Sequence, residues 1–269
     1  MFAQMTGEIL DEPFIIKPKD TLDTAASLEC FYEHIAVDTI AKFSKESLMT
    51  LQIGKHWTKY YALGSYLPDS IHYQRCHIEG KTFYGRDFYE KQHVRVNNFE
   101  NIFRNLTNNH IQEQRLIYFD HLISTDSTAN FNWELQNDTM TICGYVCHKA
   151  TVDFRRKKWT VWYSEDIPVD AGPWKFNGLP GLIMGAEDDC GTHQIMMTGI
   201  RKAILPCITR ENLYLIELSR KKYYERTKSN AVDPRGSLRS SGFSLDNMTR
   251  TNHSDRGFFV PMELEFEKP

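Results

Sequence analysis

The chain has 269 residues, with 32 basic and 35 acidic side chains and a formal net charge of −3. This length can bury a core in one large domain or two small ones. A nucleic-acid-binding protein usually carries a strongly basic face, so the charge balance argues against that class. No apolar run reaches the roughly 18–20 residues that span a bilayer, and an aromatic content of 13% favours strands over helices.

The first 27 residues are polar and contain Pro13 and Pro18, which predicts an irregular, flexible N-terminal segment. Residues Met1 to Gln4 resemble the tail of a signal peptide at its cleavage point. The charged n-region and the long apolar h-region of such a peptide are missing. Two interpretations therefore stay open, a remnant of an export signal at residues 1–4 and an ordinary cytosolic N-terminus.

Alternating apolar residues predict several strands in the first half of the chain. Between residues 80 and 123 the pattern is less regular, and Phe83, Phe88 and Tyr89 are assigned to short strands there. The clearer predicted strands are Leu28–Asp38, Glu46–Gly54, His56–Ala62, Arg115–His121 and Phe131–Gln136.

The second half of the chain predicts two hairpins. In the first, Thr139–Phe154 forms one strand and Trp159–Tyr163 the return strand, with the basic tetrad Arg155–Lys158 as a solvated turn. In the second, Leu182–Glu187 is joined to His193–Ile200.

One helix is predicted late in the chain, over Thr209–Lys228, because Thr209 is a good N-cap and an apolar stripe follows. The alternating tail Met262–Phe266 predicts a final edge strand. Together these elements predict a mainly β (β-rich α+β) protein in which residues 28–269 form a single domain. We expect an antiparallel curved sheet or open barrel with one late helix.

A family resemblance comes from the string GLPGLI and the aromatic stretch before it. The string consists of Gly178, Leu179, Pro180, Gly181, Leu182 and Ile183. The chain resembles the GLPGLI protein family of Bacteroidota, which is named for this motif, and the resemblance covers most of residues 28–202. One departure is Phe154–Lys157, where the family usually has a Phe-x-Gly-Arg turn.

The resemblance implies an exported protein of the periplasm, cell envelope or extracellular space, often encoded near TonB-dependent outer-membrane receptors. It carries over no activity and no catalytic residue. We therefore expect an envelope binding or accessory protein that holds a hydrophobic ligand or docks on an outer-membrane transport partner. The alternatives are a secreted or periplasmic, hydrolase-like enzyme whose site assembles only in three dimensions, and a structural assembly subunit.

Two interpretations of the motif stay open. Gly178 and Gly181 allow sharp turns while Pro180 fixes the backbone between them, so the segment could be a connection that aromatic side chains plug into the core. The functional interpretation makes the same aromatic residues the wall of an apolar, ligand-binding pocket. That wall would be formed by Trp162, Trp174, Phe176 and Leu179.

The sequence shows no catalytic motif. A GxSxG elbow is absent, and Ser219–Lys222 fits the short SxxK pattern by chance and reads as a solvated helix face. If Cys143 and Cys147 lie on one strand face, they are about 13 Å apart, whereas the Cα atoms of a disulfide rarely exceed about 7 Å. Bridges to other strands and free, buried thiols both stay open.

Metal and cofactor sites are not expected either. Cys76-His77 and Cys147-His148 are adjacent pairs, and neighbouring side chains of a strand point to opposite faces. The turn Asp188–His193 lacks the oxygen ligands of a calcium loop.

Overall fold

The structure is a computed structural model that describes residues 19–39, 42–82, 84, 100–118, 120–127, 130–211, 214–240, 260–262 and 265. Fourteen strands are defined within these ranges. They are β1 (Lys19–Asp23), β2 (Leu28–Asp38), β3 (Phe43–Ile53), β4 (Trp57–Ala62), β5 (Glu100–Asn105), β6 (His110–Ile117), β7 (Asp120–Ser127), β8 (Glu134–Ile142), β9 (Tyr145–Phe154), β10 (Lys157–Ser164), β11 (Leu182–Asp188), β12 (His193–Lys202), β13 (Ile208–Glu211) and β14 (Leu215–Glu217).

Twelve of these strands form one open sheet in the order β14-β7-β6-β5-β4-β3-β2-β12-β11-β10-β9-β8. All neighbours are antiparallel except β14 and β7, which are parallel. The prediction of a mainly β protein built on an antiparallel curved sheet is confirmed. The predicted strand Leu28–Asp38 coincides with β2, and the others overlap β3, β4, β6, β7 and β8. Phe83, Phe88 and Tyr89 lie outside the described residues.

The N-terminal prediction is partly wrong, because residues 19–23 form a strand. β1 pairs with β13 in a separate two-stranded sheet, and Arg210 lies 3.4 Å from Asp20 across that pair. Only one residue of β1 is apolar, so its conformation depends on a partner nearly two hundred residues away. Residues 1–18, with the proposed signal remnant, lie outside the described residues.

The first predicted hairpin contains one more turn than expected. Cys143 and Gly144 both have positive φ angles, 49° and 84°, and Ile142 pairs directly with Tyr145. Such two-residue turns favour φ > 0 at both central positions. A two-residue turn does not interrupt the apolar–polar alternation of the residues on either side. The sequence pattern therefore predicted a single strand where there are two. Cys143 therefore lies in a turn and not on a strand face with Cys147.

The next turn consists of Arg155 and Arg156, which also have positive φ angles of 50° and 68°. Lys157 and Lys158 belong to β10, so the solvated-turn prediction holds for only half of the basic tetrad. Lys157 is buried.

The helix prediction is wrong in its first half. Residues 208–211 and 215–217 are the strands β13 and β14, and the helix α2 covers Arg220–Val232. Pairing with β1 and β7 outweighs the local helical pattern there. Two helices were not predicted from the sequence. They are α1 (Leu63–Tyr73), which continues into a π-helical turn at Gln74–Ile78, and the short helix α3 (Pro234–Ser240).

Side chains from both halves of the sheet meet on its inner face in one core cluster that includes Tyr32, Leu51 and Trp159. On the outer face, α1 packs Tyr66 against Tyr61 and Leu205. The predicted tail strand Met262–Phe266 falls largely outside the described residues. Within the described ranges, no helix is both long and apolar enough to cross a membrane.

Candidate functional site

The connection between β10 and β11, residues 165–181, is called the motif segment here. Trp174, Phe176 and Leu179 of this segment are all buried in the core. The Trp174 and Phe176 rings meet edge to face at 5.1 Å, and Phe176 contacts Trp159 at 5.0 Å. Three of the four residues assigned to an apolar pocket wall thus pack against other core side chains.

Ion pairs with the opposite half of the sheet hold the motif segment in place. Arg104 on β5 lies 2.7 Å from the Asp170 carboxylate and also donates to the Asp170 carbonyl oxygen. The buried Lys175 lies 2.6 Å from Glu113 on β6. The Lys175–Glu113 pair is buried on both sides, whereas the Asp170 carboxylate is partly exposed to solvent. Sequence reasoning missed them because Arg104 and Glu113 stand in strands with ordinary polar alternation.

The backbone of Ser164 lies so close to residue 181 that only glycine fits there. A Cβ atom at this position would lie 2.0 Å from the carbonyl oxygen of Ser164, which no side chain can tolerate. Gly178 has a φ of 87°, which favours glycine. The two motif glycines therefore shape the connection itself.

Trp162, the fourth predicted wall residue, is partly buried and packs against the same core cluster. It alternates along β10 with the buried Val161 and Tyr163, so it faces the outer side of the sheet. There it is half-buried, and the Lys149 ammonium lies 5.9 Å from the centre of its ring.

A buried charge network lies at the start of β12. The Lys157 ammonium is 2.6 Å from the Asp188 carboxylate, and both side chains are almost fully buried. Asp188 also accepts hydrogen bonds from the backbone of Thr192 and His193. Burial alone would raise the pKa of Asp188, but these hydrogen bonds and the Lys157 charge hold that pKa below its usual range.

Two buried histidines adjoin this network. His34 Nε2 lies 3.1 Å from His193 Nδ1, and His193 Nε2 lies 3.1 Å from the carbonyl oxygen of Pro261. Burial lowers the pKa of His34 to about 4. Burial, the neighbouring His34 and the Lys157 charge lower the pKa of His193 as well. Both rings are enclosed and bonded within the protein, so we interpret the network as structural.

The cysteines and the adjacent Cys-His pairs do not converge on one site in the part of the chain that the structure describes. All six cysteines are free thiols, and Cys147 is buried with its Sγ atom 3.5 Å from Met184 Sδ. His77 stacks on Tyr73. Among the residues that the structure describes, no three His, Cys, Asp or Glu side chains are grouped so that they could hold a metal ion.

A polar cleft of about 300 Å³ opens where β8, β9 and β10 reach the sheet edge. We call it the edge cleft. Its polar lining consists of Asn130, Asn132, Glu134, Thr151, Asp153 and Lys158. A second, mostly apolar cleft of about 280 Å³ lies beside α1, and its two charged residues, Lys19 and Asp69, pair with each other at 2.5 Å.

Strand pairing positions the polar groups of the edge cleft. Thr151 on β9 stands opposite Glu134, and Asp153 stands opposite Lys158 on β10. Residues two apart on a strand share a face, so these four side chains line the same outer surface. In the described part of the chain, no hydrogen bond or ion pair engages the side chains of Asn132, Asp153 and Lys158. These groups are free to bind a ligand.

Aromatic rings form the apolar part of the edge cleft. Phe131 and Phe154 both line it, with ring centres 4.7 Å apart. Phe131 stacks on Trp133 at 5.1 Å, and the Trp133 indole donates a hydrogen bond of 2.8 Å to the carbonyl oxygen of Asn177. The motif segment therefore supports the cleft from inside, and the cleft is preformed.

Comparison with known proteins gives one family match and a structural likeness. Residues 88–205 match the family described as "N-glycanase peptide, N-terminal domain". This match covers less than half of the chain, and it includes all the strands that form the edge cleft. A search of curated proteins found no match.

Two solved structures of PNGF-II resemble the fold. The structure in space group P21 has a TM-score of 0.50 with 16% identity and covers 75% of this chain. The structure in space group C2 has a TM-score of 0.49 with 15% identity and the same coverage. This chain spans about a third of their length, 33% and 32% respectively. At this identity the likeness concerns the fold alone.

Proposed function

We propose that this chain is a non-catalytic carbohydrate-binding domain that works in the cell envelope and binds a neutral glycan in the edge cleft. One observation carries the proposal. Asn132, Asp153 and Lys158 present unengaged polar groups in a cleft whose edge is formed by the packed rings of Phe131 and Phe154.

The chemistry of the cleft suits a sugar ring. Each sugar hydroxyl is both a donor and an acceptor, and the cleft offers amide, carboxylate, hydroxyl and ammonium groups that complement it. The rings of Phe131 and Phe154 supply only a small apolar part of the lining, so polar contacts dominate. A volume of about 300 Å³ is at the lower end for small-ligand sites, which fits one sugar unit better than a large apolar ligand.

The charge of the cleft favours a neutral saccharide. Glu134 and Asp153 contribute two negative charges, and Lys158 contributes one positive charge. The net negative charge disfavours phosphate, sulfate and acidic sugars, because like charges repel across such short distances.

The comparisons support a glycan as the ligand class. The matched family is described by the name of an N-glycanase, and the match contains the cleft residues. A domain that binds the glycan of a glycoprotein is therefore the role that we propose.

The envelope location rests on the resemblance to the GLPGLI family. An outer-membrane receptor of the TonB-dependent type remains the proposed partner. The first ligand hypothesis, an apolar molecule held by Trp174, Phe176 and Leu179, is less well supported because these side chains fill the core. The hydrolase alternative gains no support from His193 and Asp188, because both side chains are buried and bonded within the protein.

Calorimetric titration with a high-mannose N-glycan tests the proposal. We expect Asp153→Ala to lower the affinity at least about tenfold, because a hydrogen bond to a charged group contributes about 1.5–3 kcal/mol. Glu217→Ala is the matched control, since Glu217 is an exposed acid at the opposite edge of the sheet. Equal affinity of the two variants, or no binding by the unaltered protein, would contradict the proposal.

A further inference from the structure

The motif segment contains the only Asn-Gly dipeptide of the sequence, Asn177-Gly178. Asn-Gly pairs are prone to spontaneous deamidation, because glycine has no side chain to hinder the attack of its backbone nitrogen on the preceding amide. In the structure Asn177 is buried and Gly178 is exposed. The fold thus places a chemically labile pair at the boundary between the core and the solvent.

Deamidation of this pair needs only water as a co-reactant. The Gly178 backbone nitrogen gives up its proton and bonds to the Asn177 Cγ atom, while the bond from Cγ to Nδ2 breaks. The Nδ2 group leaves as ammonia and carries away that proton, so a succinimide ring remains. Water then adds to one of the two ring carbonyls and opens the ring to an aspartate or an isoaspartate. The product has a carboxylate where the asparagine had a neutral amide.

Two hydrogen bonds engage the reacting groups with other partners. The Gly178 N–H donates to the Asp170 carboxylate, and Asn177 Nδ2 donates to the Lys175 carbonyl oxygen at 2.8 Å. Removal of the Gly178 proton would create a second negative charge beside that carboxylate, which is unfavourable at short range. The Asn177 side chain must also break its own hydrogen bond before its Cγ atom can turn toward the Gly178 nitrogen.

Further contacts fix the two residues that flank the reaction. The Trp133 indole donates to the Asn177 carbonyl oxygen at 2.8 Å. Arg104 donates to both the carboxylate and the carbonyl oxygen of Asp170, each at 2.7 Å. Ring closure therefore requires a local opening of the motif segment, and such openings are rare in a packed, hydrogen-bonded region.

We propose that Asn177 is a spontaneous deamidation site that Asp170 and the surrounding core keep unreactive while the protein is folded. Deamidation then marks molecules in which the motif segment has opened. A carboxylate at residue 177 would face the Lys175 carbonyl oxygen, and two acceptors cannot bond to each other. The opened segment therefore cannot regain its original hydrogen bonds, and the contact with Trp133 that supports the edge cleft is weakened.

Peptide mapping by mass spectrometry tests the proposal, because deamidation raises the mass of the peptide that contains residue 177. In a mildly alkaline buffer, we expect the rate at Asn177 to be at least about tenfold lower in the folded protein than in urea-unfolded protein. Asp170→Ala should raise the rate in the folded protein about tenfold, because a hydrogen bond to a charged group is lost. Asp166→Ala is the matched control and should leave the rate unchanged, since Asp166 is an exposed acid of the same segment.

A second variant keeps the test decisive if Asp170→Ala does not fold, which circular dichroism checks. Asp170→Asn retains an acceptor oxygen but loses the charge, so its rate should lie between those of the unaltered protein and Asp170→Ala. Equal rates in folded and urea-unfolded protein would show that the fold gives no protection. Equal rates in Asp166→Ala and the folded Asp170 variants would show that Asp170 does not restrain the site. Either result overturns the proposal.

Discussion

His34 donates a hydrogen bond to His193, and only one arrangement of protons on the two rings allows it. The Pro261 carbonyl oxygen can only accept, so His193 Nε2 carries a proton and donates to it. The Nδ1 atom of a neutral His193 is then an acceptor, and His34 Nε2 must be the donor across the 3.1 Å contact. Burial lowers the pKa of both rings, which keeps them neutral at neutral pH and supports this arrangement.

Mild acid should destabilise the protein through this pair. Both pKa values are lowered in the folded state, from 6.5 to about 4 for His34, so the unfolded chain binds protons first. Stability is lost as the pH falls from about 6.5 toward about 4, by about 1.4 kcal/mol per pH unit for each histidine. The Asp188 carboxylate also contributes to stability, because its pKa is lowered in the folded state. That contribution is lost only when the pH falls below 3.8, the usual pKa of the carboxyl group.

Urea unfolding at a series of pH values measures this slope. His34→Gln should make the slope shallower, because it removes one of the two buried imidazoles. A stability that is flat between about pH 6.5 and about pH 4.5 would contradict the assignment of two buried neutral histidines.

Lys157 and Lys158 are neighbours with opposite roles. Lys157→Ala removes the partner of a buried carboxylate, so we expect the free energy of unfolding to fall by about 3–5 kcal/mol. Lys158→Ala changes an exposed side chain and should shift stability by less than about 0.5 kcal/mol, while it weakens glycan binding. Thermal unfolding of the two variants compares them, and similar stability losses would show that Lys157 is not the partner of Asp188.

Gly181 and Pro180 separate the two interpretations of the motif. Gly181→Ala would force the backbone away from Ser164, so we expect a loss of about 3 kcal/mol or more in unfolding free energy. Pro180 is exposed, and Pro180→Ala should cost about 1 kcal/mol or less. If Gly181→Ala is as stable as Pro180→Ala, the close approach of residue 181 to the Ser164 backbone does not require glycine.

Local patterns predicted much of the sheet. The strand Leu28–Asp38 was found within its true bounds because its alternation is uninterrupted. The turn at Cys143 and Gly144 was missed because a two-residue turn preserves alternation. The strands β13 and β14 were read as a helix because their partners, β1 and β7, are far away in sequence. Pairing across such distances leaves no local pattern.

The candidate site was harder to predict than the fold. Its residues come from segments around 130–134, 151–154 and 158, none of which has a motif. The sequence drew attention to Trp174 and Phe176, which the structure places in the core beneath the cleft. Trp162 was named for a pocket wall and is partly buried against the same core cluster.

The central claim is that the edge cleft binds a glycan, and an NMR titration locates that binding most directly. Backbone amide shifts of a ¹⁵N-labelled sample would be followed while a high-mannose N-glycan is added. The account predicts that the shift changes concentrate on β8, β9 and β10, at Thr151, Asp153 and Lys158. Shift changes centred on α1 and the apolar cleft beside it, or no changes at all, would contradict it.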